Sequence, residues 1–183
     1  LSSSYVYGQQ TGPIQETAHL NPHGAYGLIK FSIEQTCWDL QGQGLDVRVA
    51  RLFNIYGPGQ ERAVTYKSIF IVDMIRALAR NPATYVLRNP TASRDFLYID
   101  DAVEALHAIM MAPAGGPSVY NVGTGGARTI WSVADQVASH MGYPLEAIQK
   151  TSATDPADIS AKGMFYPDVS RLRSLGWRES IGP

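Results

Sequence analysis

The sequence has 183 residues, with 15 lysines and arginines against 16 aspartates and glutamates, 45% hydrophobic residues and one cysteine. That balance describes an ordinary globular chain of one domain or one and a half, and it excludes disorder and collagen-like repeats. A formal net charge of -1 leaves no electrostatic footprint for a nucleic-acid backbone. The lone thiol, Cys37, closes no internal disulfide and builds no Cys-rich zinc site, so it reads as packing, no metal is expected, and a reducing cytoplasm suits the count. The most apolar stretch, Ser68 to Ala79, is interrupted by Asp73 and Arg76 and falls far short of the ~20 residues needed to span a bilayer. With no charged-then-apolar leader ahead of it, no membrane attachment is expected. The chain opens at Leu1 in a Ser-rich run without a methionine, from which we expect a part of a longer protein.

Ser2 to Gly8 reads as a strand end entering a loop. Tyr26 to Leu40 carries Leu28, Ile29, Phe31, Ile33, Cys37 and Leu40 close to a 3.6-residue period and predicts a helix. A turn through Gly42 and Gly44 then leads into a strand over Leu45 to Phe53, and the glycines and proline of Asn54 to Gln60 mark a loop or boundary. Beyond it come a helix over Ser68 to Arg80 and strands at Tyr85 to Leu87 and Asp95 to Ile99. Asp100 or Asp101 is placed to cap a helix running to about Met111. Val119 to Val122 is a strand, Gly123 to Gly126 a loop, and Ile130 to His140 a helix that stops at Gly142 and Pro144. Thr151 to Pro167 has weak periodicity, and a short helix resumes over Asp168 to Leu175. Strands alternating with helices predict an α/β fold with at least partly parallel pairing, because parallel neighbours need helical crossovers.

Three groups of residues could carry chemistry. The loop Gly123-Thr-Gly-Gly126 lies between a strand and a helix, the setting in which backbone amides cradle a pyrophosphate. It lacks the third glycine and the ribose-binding acid of a dinucleotide fingerprint, so a tight turn is the preferred reading. Tyr26 and Lys30 stand four apart on a helix and share a face. A phenol ordinarily titrates near ~10, and a fixed positive charge beside it lowers that value and makes it a usable base; a plain surface pair is the alternative. Upstream, Ser2-Ser-Ser-Tyr-Val-Tyr-Gly8 offers hydroxyls for a substrate oxygen. Downstream come Arg51-Leu-Phe-Asn-Ile-Tyr-Gly-Pro58, Ser93-Arg-Asp-Phe-Leu-Tyr-Ile-Asp-Asp101 and Tyr120-Asn-Val-Gly-Thr-Gly125.

This ordered series, from Ser2 to Trp177, resembles the extended short-chain dehydrogenase/reductase superfamily, in particular its NAD-dependent sugar-nucleotide epimerase/dehydratase branch. The resemblance implies the carboxy-terminal part of a Rossmann-type parallel sheet over residues 1–60 and a smaller α/β substrate-binding domain over 61–183, the glycine fingerprint of the first βα turn being absent. It implies Ser3, Tyr26 and Lys30 as the catalytic set, with Ser4 the next candidate for the hydroxyl. Tyr26, Lys30 and Phe53 would contact NAD, or NADP in its place. Asn54 and Arg94 would hold the substrate's diphosphate, with Ser3 and Ser4 near the sugar and Phe165 shaping its pocket. For Arg94 the alternative is a surface ion pair with Asp95 or Asp101.

Two departures from the family pattern stand out. Where relatives carry an arginine that clamps the nucleotide, the best match here is Asp155-Pro-Ala-Asp158. Where dehydratases carry an Asp-Glu pair after the catalytic hydroxyl, and decarboxylases a glutamate, this chain has Ser4 and Tyr5. Simple oxidation and reduction at one carbon remains, and a 4-epimerase working through a transient 4-keto sugar is the expected reaction. A 4-ketoreductase or dehydratase, and a catalytically silent sugar-nucleotide-binding protein, are the alternatives. The implied setting is a cytoplasmic enzyme of carbohydrate metabolism, a homodimer at full length, with a nucleotide sugar as its ligand and neither nucleic acid nor membrane as a partner. Residues 1–183 by themselves are expected to be inactive.

Overall fold

The computed structural model describes residues 1–60, 70–81, 85–144, 148–151 and 164–181. In chain order, β1 (Ser2–Ser3) runs into a 3-10 turn (Ser4–Tyr7), and then come β2 (Gly12–Ile14), α1 (Gly24–Gly42), β3 (Val49–Leu52) and β4 (Asn54–Tyr56). The middle of the chain forms α2 (Phe70–Arg80), β5 (Val86–Arg88), β6 (Ser93–Arg94), β7 (Phe96–Tyr98) and α3 (Ile99–Met110). The last elements are β8 (Val119–Val122), β9 (Arg128–Thr129), α4 (Ile130–His140), β10 (Gln149–Thr151), β11 (Met164–Pro167) and α5 (Ser170–Ser174). Among the described residues no helix is long and apolar enough to cross a membrane, and no cluster of His, Cys, Asp or Glu could hold a metal ion.

The class is α/β, with parallel pairing dominant. One sheet has the order β1-β3-β8 and is parallel throughout, with Ser3 opposite Leu52 and Leu52 opposite Val122. A second, β2-β11-β6-β9, is parallel except where β9 returns antiparallel to β6. β4 pairs with β7 and β5 with β10. A division at residue 60 therefore does not separate the sheets: β8 comes back to β3, and β2 reaches forward to β11.

Several boundaries shift for local physical reasons. The predicted strand Leu45–Phe53 is paired only from Val49 to Leu52, because Leu45 N–H donates back to Leu40 O at 3.2 Å and closes the end of α1 instead of extending. Arg48, also ahead of the strand, donates to Ile109 O at 2.8 Å and Met110 O at 3.2 Å, satisfying carbonyls at the end of α3. Neither Asp100 nor Asp101 caps α3. β7 runs directly into it, with Tyr98 at the N-cap and no side-chain cap, and Ile99, expected in the strand, is the first helical residue. The Asp101 carboxylate instead accepts from Ser180 N–H at 3.0 Å, Ser180 Oγ at 2.7 Å and Ile181 N–H at 3.0 Å, tying down the last described segment. The predicted start of α2 at Ser68 lies outside the described residues, and Cys37 is half-buried.

Three apolar clusters hold the elements together. Met74, Leu78, Leu87, Ala134, Ala138 and their neighbours join α2 to α4; Ala50, Leu97, Ala105, Tyr120, Val122, Leu172 and Trp177 surround α3. Val6, Tyr7, Ile14, Phe53 and Phe165 join the 3-10 turn to β11. The long helix α1 is different. Leu28, Ile29, Ile33 and Leu40 are exposed, and the two residues it buries are Gly27 and Glu34. A Cβ at Gly27 would stand 2.9 Å from Tyr5 O, so glycine permits the close approach there. Glu34 takes a two-pronged ion pair from Arg51 of β3, Nε to Oε1 at 2.9 Å and Nη2 to Oε2 at 2.7 Å, both side chains almost fully buried.

The same arginine donates to Tyr7 Oη at 2.9 Å and Glu16 O at 3.0 Å, and Tyr7 Oη donates to Asn121 Oδ1 at 2.7 Å. Burial pushes the Tyr7 phenol up to about 12, against the pull of the Arg51 charge. In an unfolded chain this phenol ionises near 10.0, so folding keeps a proton that the unfolded chain gives up. Its contribution is complete below the unfolded value and is lost as pH rises through the folded one, at about 1.4 kcal/mol per unit. Tyr7→Phe should therefore be less stable than wild type at neutral pH, and urea titrations should show the gap narrowing by about 2 kcal/mol between pH 10 and pH 12. A gap that stays constant with pH would place the Tyr7 titration elsewhere.

Candidate active site

Because β1, β3 and β8 are parallel, their carboxyl ends lie along one edge, and Ser3, Phe53 and Gly123 are the residues at or just past those ends. Open α/β sheets bind ligands at such an edge. Ser3 ends β1 and caps the 3-10 turn, its Oγ accepting from Tyr5 N–H at 3.4 Å. Ser3 and Ser4 are both buried.

α1 lies against that turn. His23 N–H donates to Tyr5 O at 3.3 Å, and the Tyr26 ring meets the Tyr5 ring edge-on with centroids 5.5 Å apart. Lys30 Nζ is 5.7 Å from the centroid of the Tyr26 ring and donates to Leu1 O at 3.3 Å. The predicted pair thus shares one face, and that face is turned toward the segment carrying Ser3. Tyr26 keeps 49% of its surface open, so its phenol remains reachable. One turn beyond Lys30, the Glu34 carboxylate accepts from Ser2 Oγ at 2.5 Å. The helix is therefore pinned at two successive turns, to Leu1 just ahead of β1 and to Ser2 within it.

A second cluster surrounds Asp95. This residue is fully buried, and its carboxylate accepts from Thr124 N–H at 2.9 Å, Thr124 Oγ1 at 2.8 Å, Gly125 N–H at 2.8 Å and Gly126 N–H at 3.2 Å. Burial pushes this carboxyl above its ordinary range, and those hydrogen bonds pull it back. The converging amides of the Gly123–Gly126 loop are thus satisfied by an internal carboxylate, and the loop is a tight turn built around Asp95. Gly125 has a φ of +79°, and a Cβ there would come within 2.8 Å of Val169 Cγ2, so the turn requires glycine at that point.

Asp95 also positions its neighbours. Asn54 Nδ2 donates to Asp95 O at 2.9 Å, and the buried Arg94 donates to Ser93 O at 2.9 Å. Arg94 is only 6% exposed, so its guanidinium lies off the surface. Phe53 and Phe165 pack in the core with ring centroids 5.4 Å apart and planes tilted by 35°, and Phe53 N–H is held by Val122 O at 3.0 Å. Asp155 to Asp158, the best match to the family's nucleotide-clamping motif, lie outside the described residues.

For a dinucleotide, Tyr26 and Lys30 offer what a nicotinamide ribose needs, an accessible hydroxyl and an ammonium side by side at the carboxyl edge. The described loop with converging amides is filled by Asp95, so this chain presents no glycine nest for the pyrophosphate among its described residues. Sequence reasoning missed the structural roles of Glu34, Arg51 and Asp95. The spacing of Tyr26, Lys30 and Glu34 at successive turns was a usable signal for one of them; Asp95 gave none beyond its place next to Arg94.

Fold and site together define an α/β protein with a Tyr-Lys pair at the carboxyl edge of a parallel sheet. Residues 1–123 match the NAD dependent epimerase/dehydratase family, and the chain belongs to it. It is 28% identical over 187 residues to the uncharacterized UDP-glucose epimerase YtcB of Bacillus subtilis, an alignment covering 98% of this chain and 58% of that protein. It is 32% identical over 187 residues to a UDP-N-acetyl-alpha-D-glucosaminuronate decarboxylase of Bacillus cytotoxicus, covering 95% of this chain and 56% of that one. Among solved structures, MoeE5 in complex with UDP-glucuronic acid and NAD superposes with a TM-score of 0.81 at 30% identity, covering 99% of this chain and 58% of MoeE5. The chain thus spans little more than half the length of these relatives.

The Asp95 cradle makes a direct prediction. Asp95→Ala takes a fully buried acceptor away from the half-buried amides of Thr124 and Gly125 and should cost about 2–4 kcal/mol in urea unfolding, because each donor left unmet carries its own desolvation penalty. Asp95→Asn keeps one acceptor oxygen and should lose less. An alanine variant within about 0.5 kcal/mol of wild type, the range of an ordinary surface change, would show that the loop holds itself.

Proposed function

We propose that this chain carries the proton-transfer and substrate-binding residues of an NAD-dependent enzyme acting on nucleotide sugars, and that the reaction is a 4-epimerisation through a transient 4-keto sugar. The observation that carries this reading is the Tyr26–Lys30 pair, half open to solvent and packed against the turn that begins at Ser3. Bound NAD supplies the hydride acceptor and, on return, the donor. Tyr26 Oη, as the phenolate, takes the proton of the sugar hydroxyl while the C–H bond on the same carbon breaks and a ketone forms. The Lys30 ammonium favours the phenolate by its charge. Ser3 Oγ donates to the substrate oxygen and keeps it in line. When the sugar presents its other face, Tyr26 gives the same proton back and the net change is an inverted centre.

Epimerase, dehydratase and decarboxylase chemistry all begin with this oxidation, so relatives of each kind are compatible with it. What supports the single-carbon reaction is the position after Ser4: Tyr5 brings a phenol ring against Tyr26 where elimination would need a carboxyl group. Asn54 and Arg94 hold the diphosphate in this reading, and Phe165 bounds the sugar side. NAD is the proposed cofactor and NADP the alternative. The division at residue 60 becomes functional in this reading, with Ser3, Tyr26, Lys30 and Phe53 on one side and Arg94 and Phe165 on the other. A homodimer is part of the same proposal, supported by Ile29, Ile33 and Leu40, exposed on one side of α1. The described chain alone is proposed to lack turnover, since the amide cradle among its described residues is occupied.

The test uses the complete protein, loaded with NAD and assayed against UDP-glucose, UDP-glucuronic acid, UDP-N-acetylglucosamine and dTDP-glucose. Tyr26→Phe should abolish turnover while leaving the affinity for the active sugar nucleotide within several-fold, since only the transferable proton is lost. Retention of a tenth of the rate would remove Tyr26 from the role of base. Ser3→Ala should lower kcat by about one to three orders of magnitude. Arg94→Ala should weaken nucleotide-sugar binding by about tenfold or more in calorimetric titration, as loss of a charge-assisted contact does.

A further inference from the structure

Across the second sheet, three residues stand in one register row. Phe165 of β11 is opposite Arg94 of β6, and Arg94 is opposite Arg128 of β9. Directly opposed residues of an antiparallel pair place their side chains on the same face, so the two arginines are neighbours, one strand spacing of ~4.8 Å apart. Arg94 is buried and Arg128 is half-buried. Among the described residues no hydrogen bond or ion pair engages the Arg128 guanidinium.

Two further observations give this cation a setting. The pKa of Tyr56 is pushed up by burial and pulled back by the Arg128 charge, which places the guanidinium near the strand that begins with Asn54. Arg128 also directly precedes Thr129, whose Oγ1 caps α4 by accepting from Ser132 N–H at 3.0 Å. The amino-terminal end of that helix adds positive potential of the same sign. Placing two like charges opposite each other on a strand pair is unfavourable, and a bound dianion turns that cost into attraction.

We propose that Arg128 is a second diphosphate-binding arginine, gripping the nucleotide sugar together with Arg94. The proposal rests on the reading above, from which it takes the role of Arg94. The register row gives the ligand its direction: Phe165 lies toward the sugar, Arg94 at the diphosphate, and Arg128 one strand further on, toward the nucleoside. The sequence also lacks an arginine where the family resemblance places the nucleotide clamp, Asp155 standing there instead. Arg128 would supply a positive charge to the same ligand from β9.

The experiment measures binding of UDP and of dTDP to the complete protein by calorimetry, with inorganic pyrophosphate as competitor and NAD titrated in parallel. Arg128→Ala should weaken the better-bound nucleoside diphosphate by about ten- to a hundredfold, the effect of removing a charge-assisted contact. Arg128→Lys should recover part of the loss, because it restores the charge without the fork. Pyrophosphate should compete less well against the alanine variant, while NAD affinity and melting temperature stay close to wild type. Arg128→Gln, which keeps most of the side-chain length, should resemble alanine and guards against a packing effect. Arg94→Ala measured alongside separates the two readings. If Arg94→Ala weakens binding and Arg128→Ala stays within twofold of wild type, the second arginine is refuted and the site stands. If neither matters, the nucleotide-sugar site itself fails, and a loss confined to Arg128 refutes the shared grip.

Discussion

The ion pair between Glu34 and Arg51 sets the geometry on which the rest of this structure depends. A 19-residue helix normally docks by burying an apolar stripe, yet α1 buries only a glycine and a glutamate and turns Leu28, Ile29 and Ile33 outward. Its position over the sheet is fixed by contacts with strong directional demands. Gly27 brings the backbone onto Tyr5 O, Glu34 receives both prongs of Arg51, and Ser2 donates to the same carboxylate. Burying these charges is costly unless they are paired and fully hydrogen-bonded, and apolar groups of similar volume often serve stability as well. What the pair adds is registry: a carboxylate held from β1 and β3 at once allows the helix little freedom to slide or roll. Tyr26 and Lys30 ride on that helix, and Ser3 stands next to Ser2 on the strand.

A second buried charge organises the other half of the site by the same logic. Asp95 sits where water cannot reach it, so its oxygens must find donors within the protein. The loop after β8 supplies them from three backbone amides and a hydroxyl. That loop has the physical properties from which an anion site was considered: glycines, convergent N–H groups and a helix close behind. Its anion is a side chain of the protein. The consequence is positional, since Asp95 is flanked by Arg94 and its carbonyl holds Asn54. Both diphosphate candidates are thereby indexed to the carboxyl end of β8.

Local pattern carried much of this fold. Val119–Val122 and Ile130–His140 are observed as read, because an apolar strand, a glycine loop and an amphipathic helix in succession leave little competing structure. Tyr26 and Lys30 share a face because helical spacing alone puts them there. Long-range pairing was harder to read. Nothing local tells that Arg48 will serve the end of α3 rather than extend β3, or that Asp101 will bind a segment some eighty residues away instead of capping its own helix. The interleaving of sheets across residue 60 is of the same kind, since strands of three or four residues acquire their partners from the tertiary fold. Glu34 and Arg51 read as helix surface and strand alternation, and only the packed structure reveals them as one buried unit.

Taken with the proposed roles, the arrangement shows how one constellation would serve more than one reaction. Removing a proton from a hydroxyl while a hydride leaves the same carbon demands a base, a charge to sustain it and a hydrogen-bond donor, all held to fractions of an ångström. In the proposed reading those demands fall on β1 and α1, the elements locked by Glu34. The fate of the sugar after its first oxidation depends on groups that reach the neighbouring carbons and on how freely the ring can turn. In the proposed reading those groups would come from the residue after Ser4 and from the second sheet. With Arg94 proposed to grip the diphosphate rather than the sugar, a rigid joint under Ser3, Tyr26 and Lys30 and an anchor at the diphosphate would divide the task physically. Held by its nucleoside diphosphate and not by its ring, the sugar of that proposal would be free to present either face to the same phenol without losing its hold on the protein.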